Sequence, residues 1–175
     1  MQTFSVAPLS KPSLILMLLL LLALPIGIIA LAIGVQTKPL PSSAHWLLLA
    51  ALIPVVLLAV ATTRRTIVLD HDLLIVKAAV YSRRLPVSAF DLDAARIYVL
   101  SEHRDRRPWL KTNGFGMPGF LAGHFRDRDR SRVFCLVTAD RVLDLPLVTG
   151  GRVLLSPDNP HALLEALRRA GSPHT

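Results

Sequence analysis

Three histidines in this 175-residue chain stand beside carboxylates: His71 between Asp70 and Asp72, His103 near Asp105, and His124 near Asp127. An imidazole next to a carboxylate is the basic unit of general-base chemistry and of many metal sites. Such sites need convergent spacing, of the H-x-x-E-H or C-x-x-C kind, and none is present. The three pairs therefore read as turn or surface residues. An enzyme would require His124 and Asp127 to converge with Glu102 around a pocket. The single cysteine, Cys135, alternates with Val133 and Val137 and so reads as a core side chain. No G-x-S-x-G elbow occurs. No catalytic residue, metal, cofactor or small-molecule substrate is expected.

Binding chemistry has more candidates. Gly114, Gly116, Gly119 and Gly123 punctuate a stretch that also carries Phe115, Met117, Phe120 and Phe125, with Trp109 close by. It lacks the Gly-Lys-Ser/Thr ending of a nucleotide loop, and no helical pattern follows it. Two readings remain. The glycines serve close backbone approach in a structured loop, or the loop presses Trp109, Phe115, Met117 and Phe120 into a partner or the bilayer surface. Two basic segments flank this stretch. His103–Lys111 has four basic and one acidic group, a net +3, and Arg126–Arg132 has four and two, a net +2. The interspersed aspartates dilute the field, and Phe, Trp and Tyr number only 6, 2 and 2. Nucleic acid, which wants stacking aromatics on a basic surface, is not expected. Anionic lipid is a better match: Arg64, Arg65, Arg104, Arg106 and Arg107 are candidates to hold a domain against a leaflet, each contributing about 1 kcal/mol near the surface.

These residues hang on a chain of two characters. Apolar residues make up 52% and charged ones only 18%, with a formal net charge of +8. Residues 1–65 hold Lys11, Lys38, Arg64 and Arg65 and no acid, while all 12 acidic groups lie in 66–175. Leu14 to Val35 is uncharged and long enough to cross a hydrocarbon core of about 30 Å. It exceeds the apolar region of a secretory signal, and a second uncharged run follows from Pro39 to Thr63. The expected organisation is an N-terminus at 1–12, a first span at 13–35, a periplasmic loop at 36–45, a second span at 46–63 and a domain at 64–175. Positive charge at the outer ends of the pair places both termini in the cytoplasm of a cell with an inner membrane. Neither span holds an ionisable group, so the pair reads as an anchor. A lone cysteine agrees with a reducing compartment.

The domain alternates with period two. Strands are expected at Thr66–Leu69, Leu73–Val80, Tyr81–Ser88 and Ala95–Leu100, followed by an irregular stretch from Ser101 to Gly123. Gly123–Arg126 and Arg132–Thr138 then form a hairpin closed by a solvated tip, with further strands at Arg141–Leu147 and Arg152–Ser156. The turn at Asp70-His71-Asp72 and the Pro at 86 punctuate the first three. Asn159 as a cap, Pro160 at the first helical position, an apolar Leu163, Leu164 and Leu167 face, and Gly171 as the stop define a closing helix. The fold class is thus α+β: a transmembrane helical hairpin, then a mostly antiparallel barrel or sandwich of about seven strands capped by a helix.

The LLIV strand with YSRRLPVSAF after it, the GFGMPGFLAGHF stretch at Gly114–Phe125, and the ending RVLLSPDNPHALLEAL at Arg152–Leu167 together resemble the bacterial pleckstrin-homology-like domains, in particular the small membrane-anchored type. The resemblance spans Arg65 to Arg169. It implies a strongly bent seven-stranded sheet with a C-terminal helix, and a binding or scaffolding module without enzymatic activity. Phosphoinositide binding does not carry over: the first turn is short and acidic, and Lys77 is followed by adjacent Arg83 and Arg84 where the lipid-binding pattern is basic-X-Arg. The expected partners are the bilayer, a protein bound at the Gly/aromatic loop or at open sheet edges, and a second copy of the domain, with lipid headgroups as the alternative.

Overall fold

The computed structural model describes residues 1–9, 64–117 and 119–172, together with scattered positions between 11 and 56. The two expected spans fall largely outside the described residues, and the loop at 36–45 wholly so. Of the positions described there, Leu14, Ile15, Leu19, Ile26, Ile53 and Val56 are helical and exposed. Among the described residues, no helix is long and apolar enough to cross a membrane.

A four-stranded antiparallel sheet is built in the order β1 (Gln2–Phe4), β2 (Arg65–Asp70), β3 (Leu73–Ala78) and β4 (Tyr81–Pro86). Its first strand comes from a segment that reads as a tail in the sequence. Gln2, Thr3 and Phe4 pair with Leu69, Val68 and Ile67, although more than sixty positions separate them along the chain. The Asp70–Leu73 reversal forms as expected, with His71 in the left-handed region at φ 52. The next strand ends earlier than its apolar run suggests. Leu74, Val76 and Ala78 are buried on one face, but Ala79 turns to φ 59 and leaves Val80 60% exposed at the hairpin tip. A continuous strand to Val80 is therefore corrected to a strand of six residues and a two-residue turn.

The second sheet has six strands in the order β5 (Arg96–Val99), β9 (Arg141–Pro146), β10 (Arg152–Leu155), β8 (Arg132–Val137), β7 (Phe120–Arg126) and β6 (Leu110–Met117). β10 lies between β9 and β8, antiparallel to the first and parallel to the second. The described residues thus form ten strands where about seven were expected. The largest difference falls on the stretch expected to be irregular. Residues 110–126 form a long hairpin, with Gly114 directly opposite Gly123. Here glycine is required by space: a Cβ on Gly123, at φ +107, would stand 2.8 Å from the Asn113 carbonyl oxygen and 2.9 Å from the Tyr81 ring.

The helix α1 (Pro160–Gly171) begins as read, with the Asn159 side chain accepting a hydrogen bond from the Ala162 amide. It runs through Gly171 and ends at Ser172. Leu163 and Leu167 on this helix are fully buried in a core shared with Ile67, Leu74, Phe120, Phe134 and Leu136. Leu9 closes the same core from the N-terminal segment. A second cluster, containing Tyr98, Val133, Cys135 and Leu154, occupies the opposite face of the large sheet. That face explains why five consecutive residues of β8 are buried without the alternation of a one-sided sheet.

Candidate functional site

The histidine–carboxylate pairs do not assemble into a centre. His71 is exposed, with Nδ1 3.2 Å from Asp70. His103 meets the Val99 carbonyl and the Tyr98 ring. His124 stands edge-on between the rings of Tyr81 and Phe134, while Asp127 is held by Arg152. His124 and Asp127 therefore have separate partners, and among the described residues no group of three or more His, Cys, Asp or Glu is gathered for a metal ion. Cys135 is fully buried, which pushes its thiol far above the ordinary range.

Arg152 organises the strongest polar cluster. Both carboxylate oxygens of Asp127 accept from Nε and Nη2, at 2.8 and 2.9 Å. Nη1 donates to Asp144 at 2.8 Å and to the Tyr98 hydroxyl at 2.9 Å, and Nη2 also reaches the Arg106 carbonyl at 2.6 Å. All five N–H donors are engaged, so Arg152 has none left for a ligand. Burial opposes its charge, but the hydrogen bonds to Asp127 and the charge of Asp144 hold its guanidinium well above the usual range. Burial, then Asp144, pushes the Tyr98 hydroxyl up to about 12. Asp144 is only 4% exposed, and its Oδ1 has no partner among the described residues. This cluster ties β5, β9, β10 and the β7–β8 turn together, and it opens on a pocket of about 360 Å³.

The arginines grouped in the sequence as lipid-facing separate in space. Arg65 opens β2 in the small sheet and Arg64 directly precedes it. Arg104, Arg106 and Arg107 lie on the connection between β5 and β6, where Arg104 and Arg107 are exposed and Arg106 packs 5.5 Å over the Tyr98 ring with its Nη1 4.0 Å from Asp144. Arg106 is thus engaged with the Arg152 cluster. Arg64 instead lines a cleft of about 560 Å³ with Lys77, Val80 and Tyr81.

The Gly/aromatic stretch also divides. Phe120 is fully buried and Phe125 is 5% exposed, so neither is a contact surface; the period-two pattern of β7 turns them inward on opposite faces. Phe115 and Met117 are half-buried against the core. Gly116 and Gly119 are exposed, Gly114 is half-buried and Gly123 is buried. Trp109, 68% exposed, and Leu110, 48% exposed, remain open where β6 begins, on the outer edge of the large sheet.

A third constellation escapes sequence reasoning. Arg83 from β4, Arg126 from β7 and Arg132 from β8 line one pocket of about 290 Å³, with His124, Phe125 and Thr112. Arg126 and Arg132 are direct partners across the β7–β8 pair. Arg83 arrives from the other sheet, its guanidinium 5.8 Å over the Phe134 ring. Burial, then the charge of Arg132, draws the Arg83 guanidinium below its ordinary range. Burial, then Arg83, draws the His124 imidazole below the usual 6.5. The hairpin expected from the sequence, with arms ending at Arg126 and beginning at Arg132, forms and sets these two opposite each other; the approach of Arg83 from the other sheet has no local signal.

A sequence profile of the bacterial PH domain matches residues 65–171. No curated protein and no solved structure matches the chain.

Proposed function

The chain belongs to the bacterial PH domain family, and from that premise we propose that it is a non-catalytic binding module held at the cytoplasmic face of a membrane by a helical hairpin inserted between β1 and β2. The observation that carries this reading is the pairing of those two strands. Gln2–Phe4 aligns antiparallel to Ile67–Leu69, Val6 bridges Pro157, and Leu9 is buried in the core. Residues before and after the apolar segments therefore belong to one folded unit and share one side of any membrane. A chain that leaves that unit and returns to it crosses an even number of times, which supports two spans over one. The exposed apolar side chains at Leu14, Ile15, Leu19, Ile26, Ile53 and Val56 support lipid as their environment. The flanking Lys11, Arg64 and Arg65, against Lys38 alone in the loop, favour the cytoplasmic side.

The binding partner we favour is a protein that adds a strand to the edge of the large sheet. β6 offers an outer edge with Trp109 and Leu110 exposed at its start, an aromatic and an aliphatic anchor beside open backbone groups. The anchoring is tested by alkaline extraction of membranes together with topology reporters fused at Met1 and at Thr175. Retention in the membrane with both reporters cytoplasmic is the expected result. Release by alkali, or reporters on opposite sides, overturns the reading.

A further inference from the structure

The pocket between β4 and the β7–β8 pair concentrates positive charge that the fold leaves uncompensated. Among the described residues, ion pairs link Arg106 and Arg152 to carboxylates, whereas Arg83, Arg126 and Arg132 have none. The strand register makes the arrangement costly. Arg126 and Arg132 face each other directly across an antiparallel pair, where like charges oppose pairing. Arg83 adds a third guanidinium from the other sheet, held over the Phe134 ring. Three converging guanidiniums beside an imidazole suit an anion with several acceptor oxygens. A carboxylate has two and is satisfied by one arginine fork, whereas a phosphate group presents three or more to several forks at once. The volume, about 290 Å³, suits a small headgroup.

We propose that Arg83, Arg126 and Arg132 form a recognition site for the phosphate group of a phosphoester. Arg126 and Arg132 grip from the strand pair and Arg83 closes from the small sheet. The site lies apart from the acidic Asp70–Asp72 turn, and it stands independently of the tethering function. The phosphoester comes either from a membrane phospholipid or from a soluble molecule. The structure offers a route to the first: Tyr81, whose ring meets His124 in this pocket, also lines the cleft formed with Arg64 and Lys77, where the chain re-enters the sheet after its apolar segment.

The test follows thermal unfolding of the full-length chain in two settings. In a maltoside detergent, inorganic phosphate is titrated against chloride at matched ionic strength. In nanodiscs, phosphatidylcholine alone is compared with phosphatidylcholine containing phosphatidylglycerol. The expected result is a saturable rise in Tm in at least one setting, with the midpoint or lipid effect weakened about tenfold or more in Arg132→Gln, the loss of one charge-assisted contact. Arg169→Gln, which removes an equal charge from an exposed position on α1, keeps the response. Without phosphate or anionic lipid, Arg132→Gln melts at or above the wild type, because it relieves the repulsion with Arg126. A phosphate response in detergent supports the site with a soluble ligand as its source, and a response confined to phosphatidylglycerol supports it with a headgroup. A wild-type response in Arg132→Gln, no saturable response in either setting, or an Arg132→Gln that melts well below wild type in the absence of anion overturns the proposal. So does an Arg132-dependent response to polyglutamate alone, which would assign the pocket to an acidic protein.

Discussion

Replacing Arg152 by Met removes the centre of the buried polar cluster while keeping a side chain of similar length. The cost follows from what is left behind. Asp144 is 4% exposed, and one of its oxygens already lacks a partner. Without Arg152 it retains the Tyr98 hydroxyl at 3.2 Å and Arg106 at 4.0 Å. Asp127, whose side chain is 17% exposed, has some access to water. The dominant penalty is thus one buried carboxylate left with only a distant counter-charge, about 3–5 kcal/mol, or about 12–20 °C in Tm for a domain of this size. Thermal unfolding of the full chain in detergent, followed by circular dichroism, reads the change directly. The origin of the loss is separated by a second substitution. Adding Asp144→Asn to Arg152→Met should recover part of the gap to wild type at pH 7, because the amide carries no charge to be compensated. A gap below about 1 kcal/mol, or one that does not respond to Asp144→Asn, would refute the account of Arg152 as the counter-charge of a buried carboxylate.

Two further outcomes test the site's frame and its titration. Gly123→Ala should cost about 2 kcal/mol or more, because the new methyl meets backbone and the Tyr81 ring at a positive φ; Gly150→Ala, also at positive φ (+88) but with open space around it, should cost about 1 kcal/mol. Equal melting shifts for the two would remove the close-approach argument. His124 has a folded-state pKa below its unfolded value because of burial and Arg83, so the folded state resists its protonation. Stability is complete above about pH 6.5 and is lost as pH falls below it toward the depressed folded pKa. His124→Gln should flatten the fall in Tm across that window, and an unchanged slope would contradict the assignment.

What the sequence reveals follows the range of each signal. The Asp70–Asp72 turn, the Asn159 cap and the apolar face of α1 depend on residues within a few positions of one another, and all three occur in the structure. The Arg132–Val137 strand was legible because its apolar run is long enough for either one or two buried faces. The hairpin of β6 and β7 was not, because its glycines read as loop residues. At Gly114 and Gly123 the facing backbone of the hairpin leaves no room for a Cβ, and at Gly123 the Tyr81 ring, some forty positions away in sequence, closes in as well. The pocket arginines were hidden for the same reason. Arg126 and Arg132 look like the shoulders of a solvated tip until β4 brings Arg83 against Phe134.

The first strand goes furthest beyond local reading. Three residues, Gln2–Phe4, carry too little alternation to declare a strand, and a two-signal pattern of apolar run and flanking charge makes them look like a tail. Their pairing with β2 has a consequence for the family relationship as well as for topology. The matched region begins at residue 65, yet the small sheet also contains a strand from before the apolar segments, and Leu9 contributes to the core. Cutting the chain at residue 64 would therefore unpair one edge of β2 and leave a gap where Leu9 sits, with loss of its burial alone worth about 1.5–3 kcal/mol. The apolar segments are then an insertion between β1 and β2 rather than a leader joined to the domain's start. An insertion held at both ends constrains the domain's orientation more tightly than a single tether does. On the proposed topology, it fixes which face of the small sheet lies toward the leaflet, with the Arg64–Lys77 cleft at the returning end.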